Sequence, residues 1–146
     1  MCKQKNTKLK LFIPAAAAAA TPPFGPILGQ YGINTVQFCK DFNEATEGLT
    51  LFFNEQVEDS FGGFVLCVDI YIREDRTYHY IINKPPVSFL LRLLTSTKLG
   101  APRTITGYIS KSELVLLARF KFPEIPIKSA CQTVLGVCRS IGIRVK

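Results

Sequence analysis

The sequence predicts an α+β chain of two modules, a small α+β unit over residues 1–83 followed by a three-helix unit over residues 84–146. Three observations predict it. Apolar residues alternate with period two between Phe64 and Ile82, then recur with period 3.6 after Asn83-Lys84-Pro85-Pro86, so strands give way to helices there. Charge divides at the same place: residues 1–83 hold seven Lys and Arg against nine Asp and Glu, a net of −2, whereas residues 84–146 hold eleven against two, a net of +9. Finally, 146 residues that are 47% hydrophobic, with 11 Phe, can fill one or two small cores but not a large multidomain enzyme. No apolar run reaches the roughly 18–20 residues that span a bilayer.

Each element follows from local chemistry. Lys8 to Ile13 alternates as a first strand. Ala15–Ala20 has helical propensity but is bracketed by Pro14, Pro22, Pro23 and Pro26, so a loop or short extended piece competes with a helix. Thr21 to Gln30 is a rigid Pro/Gly segment with polyproline conformation expected at Pro22–Pro23. Asn34 with Gln37 three residues on opens a helix, and Phe38, Cys39 and Phe42 face inward. Residues 47–62 lack a period and read as a loop or insertion. Phe64, Leu66, Val68, Ile70 and Ile72 form one face of a strand, Glu74-Asp75-Arg76 turns the chain, and Thr77 to Ile82 returns.

In the second module Pro86 suits a first helical turn, with Val87, Leu90, Leu91 and Leu94 as the apolar stripe. Thr95 to Gly107 reads as a loop. Ser110-x-x-Glu113 is a capping box for a helix that turns Leu114, Leu117 and Ala118 inward, and Ser129-x-x-Gln132 is a second candidate box. Cys131, Val134, Leu135 and Cys138 share a face, Gly142 ends the helix, and Ile143 to Val145 is a short closing strand.

Chemistry of other kinds has little to stand on. Five Cys form no Cys-x-x-Cys pair and the single His, His79, completes no zinc set by familiar spacings; Cys131 and Cys138 are expected as buried apolar side chains. No hydrolase, metalloprotease, phosphate-loop or dinucleotide motif occurs. The one constellation an enzyme could use is Glu74, Asp75 and His79, which falls on a hairpin tip and its strand. No enzymatic activity and no cofactor is expected. The basic excess of the second module points to a polyanion, with RNA and a helical DNA-binding regulator as the two nucleic-acid alternatives. Lys3–Lys10, Leu11-Phe-Ile and the alanines imitate a secretion signal, but Pro14 interrupts the apolar stretch.

Pro22-Pro-Phe-Gly-Pro-Ile-Leu-Gly-Gln-Tyr-Gly-Ile-Asn34, Phe38-Cys-Lys-Asp-Phe-Asn43 and Thr46 resemble the N-terminal signature of large-subunit ribosomal protein eleven. Further matches follow in family order: Glu74-Asp75-Arg76, Lys84-Pro-Pro, Gly107 before Ser110, Lys121-Phe-Pro-Glu124, and Gly136-x-x-Arg139-Ser-Ile-Gly142-Ile. The resemblance covers nearly the whole chain. It implies an N-terminal domain over 1–83 facing elongation factors and the stalk-base ribosomal protein. It also implies a C-terminal helical domain over 84–146 that binds large-subunit rRNA at the GTPase-associated centre. The rRNA-binding residues it implies are Lys84, Gly107, Lys111, Arg119, Lys121, Gly136, Arg139, Ser140 and Gly142. Lys111, Lys121 and Arg139 are the expected phosphate contacts, while Gly136, Ser140 and Gly142 let backbone approach a ribose or base. On the factor-facing side, where thiopeptides bind in the family, it implies Pro22, Pro23, Gly25, Pro26, Gly29 and Gln30.

The chain also departs from the family pattern. The segment between Thr46 and Gly63 is longer, and the 95–107 loop is shorter; family lysines near Gly107 stand here as Ile105 and Tyr108, with Lys98 and Arg103 as nearby bases. This divergence, the Phe/Ile/Lys richness and the lack of a long Arg/Ser-rich leader before the first strand lead to a mitochondrial ribosome as the expected location, with plastid or bacterium as alternatives. No membrane and no small-molecule substrate is expected.

Overall fold

The structure, a computed structural model, describes residues 7–22, 24–50, 63–97, 100–101 and 103–146. The chain divides into two compact units, Met1–Lys84 and Pro85–Lys146. The first contains β1 (Thr7–Pro14), α1 (Phe24–Gln30), α2 (Thr35–Thr50), β2 (Val65–Ile72) and β3 (Tyr78–Asn83). The three strands form one antiparallel sheet in the order β1-β2-β3.

The core of this unit follows from the pleat of β2. Leu66, Val68, Ile70 and Ile72 point to one face and are at most 4% exposed. α2 lays Phe38 and Phe42 on that face, and both are fully buried. The Phe38 ring meets Tyr78 and Tyr80 edge-on at 5.7 and 5.6 Å, the arrangement that ring quadrupoles favour. Each buried Phe contributes about 1.5–3 kcal/mol through removal from water. On the opposite face Tyr71 stacks on His79 at 5.0 Å across the strands, and Lys8 pairs with Asp69 at 3.0 Å. The expected hairpin closes as read: the Asp75 carboxylate accepts from the Thr77 backbone N–H at 3.1 Å and from its hydroxyl at 2.6 Å. Those bonds hold its pKa below the ordinary Asp value.

Asn34 caps α2 through its side chain, but Gln37 does not complete the box; its amide donates instead to Asp41 at 2.7 Å. One expectation needs correction here. Residues 47–50 are the last part of α2 and not loop, because once a helix is anchored by Phe38 and Phe42 it continues through polar residues of ordinary propensity. Residues 51–62 lie outside the described residues. Within the rigid Pro/Gly segment, Phe24–Gln30 forms the short helix α1. Pro26 sits in its first turn, where no intrahelical partner is needed for the missing N–H. Pro23 lies outside the described residues.

The second unit holds α3 (Val87–Thr95), β4 (Gly107–Ile109), α4 (Lys111–Lys121), α5 (Ile127–Ile141) and β5 (Ile143–Val145), with β4 and β5 paired in parallel. Its core gathers Leu91, Ile109, Leu114, Leu117, Ala118, Ala130, Val134, Cys138, Ile141 and Ile143. The Ser110 capping box is complete. Its hydroxyl accepts from the Glu113 N–H at 3.2 Å, and the Glu113 carboxylate accepts from the Ser110 N–H at 2.9 Å.

Ser129 is no cap. α5 begins two residues earlier with Pro126 as its N-cap, since proline's extended ψ ends the preceding turn and Ile127 can enter the helix directly. Pro86 likewise stands one position before α3 instead of within its first turn. In α3 Phe89 is buried while Leu94 is half exposed. Leu94 is the penultimate helical residue before Ser96 turns left-handed, and it lines a shallow surface groove with Glu113, Leu116, Leu117 and Phe120 of α4.

Replacing Ser110 with Ala removes the cap and should lower the stability of the C-terminal unit by about 1 kcal/mol at neutral pH in urea titration. The Ser110 backbone N–H and hydroxyl also hold the Glu113 carboxyl below its ordinary pKa. A carboxyl lowered in the folded state contributes stability above its unfolded pKa and loses it on acidification. The difference between native and S110A should therefore narrow as pH falls below the ordinary Glu range.

Candidate nucleic-acid interface

α5 divides cleanly between core and solvent. Ala130, Val134, Cys138 and Ile141 form its buried stripe. Around the helix from these, Ser129, Gln132, Thr133, Gly136, Arg139 and Ser140 are all exposed. Their spacing of three and four residues lines them up on one side. Every member of this stripe except Gln132 and Arg139 is small, so the backbone of α5 is accessible along most of its length. The Ser140 hydroxyl donates to the Val137 carbonyl at 2.7 Å, and the Thr133 hydroxyl to Ser129 at 3.0 Å, which folds both side chains back onto the helix. Arg139 projects a permanent charge beside them.

The glycines separate into two kinds. Gly142 has φ +87°, and a Cβ there would strike the backbone carbonyls of Ala101 and Thr104. Only glycine satisfies both demands. A Cβ on Gly107 would press on Thr97 Oγ1 and Thr95 Cβ at 3.0 and 3.1 Å. Both residues are therefore accounted for inside the unit. Gly136 is different: a Cβ there meets nothing within 4 Å, its backbone is ordinary helix, and it is exposed. A glycine in a helix interior costs about 1 kcal/mol relative to alanine, and no contact within the unit requires it.

The remaining expected contacts are distributed. Lys84 and, on α4, Lys111 and Arg119 are exposed. Lys121 is half buried and donates to the Pro85 carbonyl at 2.8 Å, tying the end of α4 to the start of the unit. Gly136, Arg139 and Ser140 are thus the three expected residues that the fold gathers on one face. Sequence reasoning missed Gln132 and Thr133 on that face; the signal was there in the run of small and polar residues at helical spacing. It also missed Arg144, which with Arg139 lines a cleft of about 410 Å³ floored by Leu135, Cys138, Ile143 and Val145. Burial pushes the Cys138 thiol up, which keeps it neutral and apolar. Among the described residues no group of His, Cys, Asp and Glu is placed to hold a metal ion.

In the N-terminal unit the expected factor-facing residues surround α1. Pro22, Pro26, Gly29 and Gln30 are exposed, while Leu28 anchors the helix with no exposed surface. Gly25 is demanded by the fold, since a Cβ would lie 2.7 Å from the Ala20 carbonyl oxygen; Gly29 has nothing within 4 Å. The alanine tract leading to α1 is held by α2. Asn43 accepts from the Ala18 N–H at 2.9 Å and donates to its carbonyl at 3.1 Å, and the buried Thr46 hydroxyl accepts from the Ala16 N–H at 2.9 Å while donating to Phe42.

A basic helical unit with an accessible helix backbone and an adjoining arginine cleft has the features of a nucleic-acid-binding class of protein. Residues 83–145 match the family model described as ribosomal protein L11, RNA binding domain, and residues 9–50 match ribosomal protein L11, N-terminal domain. The chain belongs to the ribosomal protein L11 family, whose members are structural, non-enzymatic proteins of the large ribosomal subunit. That description favours RNA over the DNA-regulator alternative.

Replacing Gly136 with Ala separates fold from function. The variant should be as stable as the native chain or up to about 1 kcal/mol more stable, because the methyl group meets open space and helix propensity rises. Its affinity for rRNA is expected to fall, because the methyl group covers the exposed backbone that glycine leaves open on α5. A melting curve and a binding isotherm on one preparation check both signs.

Proposed function

We propose that the chain binds large-subunit rRNA at the GTPase-associated centre through residues 84–146. In this reading Gly136, Arg139 and Ser140 form the close contact and Lys84, Lys111, Arg119 and Lys121 supply or position charge. Gly107 and Gly142 shape the surface from within. The N-terminal unit, residues 1–83, presents Pro22, Pro23, Gly25, Pro26, Gly29 and Gln30 toward elongation factors and the stalk-base protein, and the ribosome served is mitochondrial. The observation that carries the reading is the exposed Gly136 in the middle of α5, flanked by Arg139 and Ser140, in a unit that carries the chain's entire positive excess. Phosphate contacts give such a protein salt-sensitive affinity, and the small stripe gives it shape selectivity.

The protein should cosediment with large ribosomal subunits, and binding of an rRNA transcript spanning the GTPase-associated region should weaken with added salt. Arg139→Ala should reduce the slope of log affinity against log salt by about 1. Absence of binding at low salt by a folded chain overturns the RNA assignment. Recovery in plastid instead of mitochondrial ribosomes overturns the compartment alone.

The exposed proline edge of α1 generates a separate expectation. Pro22→Ser should weaken thiopeptide binding to the protein–rRNA complex while leaving affinity for the rRNA within about twofold, because Pro22 stands outside the unit assigned to RNA. Drug titration against the preformed complex checks it, and parallel loss of both would point to misfolding.

A further inference from the structure

The parallel ribbon of β4 and β5 has two faces that its register defines. Ile109 and Ile143 turn inward and are 1% and 3% exposed. Tyr108 lies opposite Arg144 in the register, and both are on the outer face. Lys146 follows two residues after Arg144 on the same side, and its backbone N–H is tied to the Ile109 carbonyl at 2.9 Å. Its ammonium stands 4.5 Å from the centre of the Tyr108 ring. The ring itself is 52% exposed, so it adds little to the core. A large aromatic side chain at the surface with an ammonium over its ring, and with Arg144 opposite it in the register leading to the cleft that Arg139 also lines, combines the two elements from which single-stranded nucleic acid sites are built. One is a flat face for stacking and the other is charge for the neighbouring phosphate.

We propose that Tyr108 is a stacking platform for one unpaired nucleobase of the large-subunit rRNA, and that Arg144 and Lys146 receive the phosphates beside that base. The proposal rests on the RNA-binding reading above and adds a site to it. The occupant is nucleic acid because the charged side chains on this outer face of the ribbon, Arg144 and Lys146, are cationic. The cleft beside Arg144 is lined by Arg139, Leu135, Cys138, Ile143 and Val145, with no acidic side chain among them. An unpaired base suits the site because a base inside a helix has no free face to offer.

The test uses the full chain and an in-vitro transcript of its own large-subunit rRNA spanning the GTPase-associated region. Tyr108→Phe should bind within about twofold of the native protein, since the ring is kept. Tyr108→Ala should weaken binding on the order of tenfold, with the salt slope unchanged because no charge is lost. Arg144→Ala and Lys146→Ala should each lower that slope by about 1. A base-modifying reagent should find one nucleotide protected by the native and Phe proteins and re-exposed by the Ala variant. Native-like affinity of Tyr108→Ala overturns the proposal while leaving the RNA-binding reading intact. Equal loss in Tyr108→Phe and Tyr108→Ala also overturns it, since the hydroxyl would then be what matters. Unchanged affinity for the transcript but lost cosedimentation with subunits would assign the ring to a protein neighbour. Failure of the native chain to bind the transcript at all would remove the underlying reading itself.

Discussion

The C-terminal unit depends on the left-handed turn at Gly142. A helix leaves its last carbonyls without partners, and burying them uncapped would cost stability. Here the turn directs the Ile141 and Gly142 carbonyls at the 100–106 loop, where Ala101 donates to Ile141 at 2.8 Å and Thr106 to Gly142 at 2.9 Å. The Thr106 hydroxyl adds a third bond, to Ile141 at 3.0 Å. One glycine thereby ends α5, fastens the loop and starts β5 beside β4. The surface assigned to RNA is a consequence: Arg139 and Ser140 lie in the last helical turn before the glycine, and Arg144 and Lys146 lie just beyond it. A side chain at position 142 would disturb both sets together.

The N-terminal unit solves a similar problem with side chains. A proline-rich approach to α1 supplies few backbone donors, and its alanines have no side chains with which to anchor themselves. Asn43 and Thr46, one helical turn apart on α2, provide the partners instead, and the aromatic residues Phe38 and Phe42 fix α2 on the sheet. The positions of Pro22, Pro26, Gly29 and Gln30 are thus set by residues distant in sequence that belong to the same motif. This gives a physical reason for the association of Phe38-Cys-Lys-Asp-Phe-Asn43 and Thr46 with the Pro-Pro-x-Gly-Pro run: one segment holds the other.

Much of this was legible beforehand, wherever the signal is local. Alternation along Phe64–Ile72 named the buried face of β2. The Ser110/Glu113 pair named a helix start whose bonds are both present, and Gly142 named a helix end. Misreadings came where local signals were ambiguous. Ser129-x-x-Gln132 has the form of a capping box, but Pro126 had already begun the helix. Leu94 fits the stripe of α3, yet it falls where the helix runs out. Residues 47–50 carry no apolar period, but they continue a helix nucleated by the aromatics before them. The small stripe of α5 was partly visible through Gly136, Arg139 and Ser140, whereas Gln132 and Thr133 joined it only once the buried side of the helix was known.

By itself the sequence determined the two modules, their order, the charge carried by each and the family to which they belong, because periodicity, composition and motif order are properties of the chain. Tertiary structure decided which glycines the fold demands and which it does not. Gly107, Gly136 and Gly142 look alike in sequence, and only the neighbours of an absent Cβ separate them. It also decided that Tyr108, Arg144 and Lys146 share one face, since residues 36 and 38 positions apart meet only through the β4–β5 register. The charge was written in the chain; its address was set by packing.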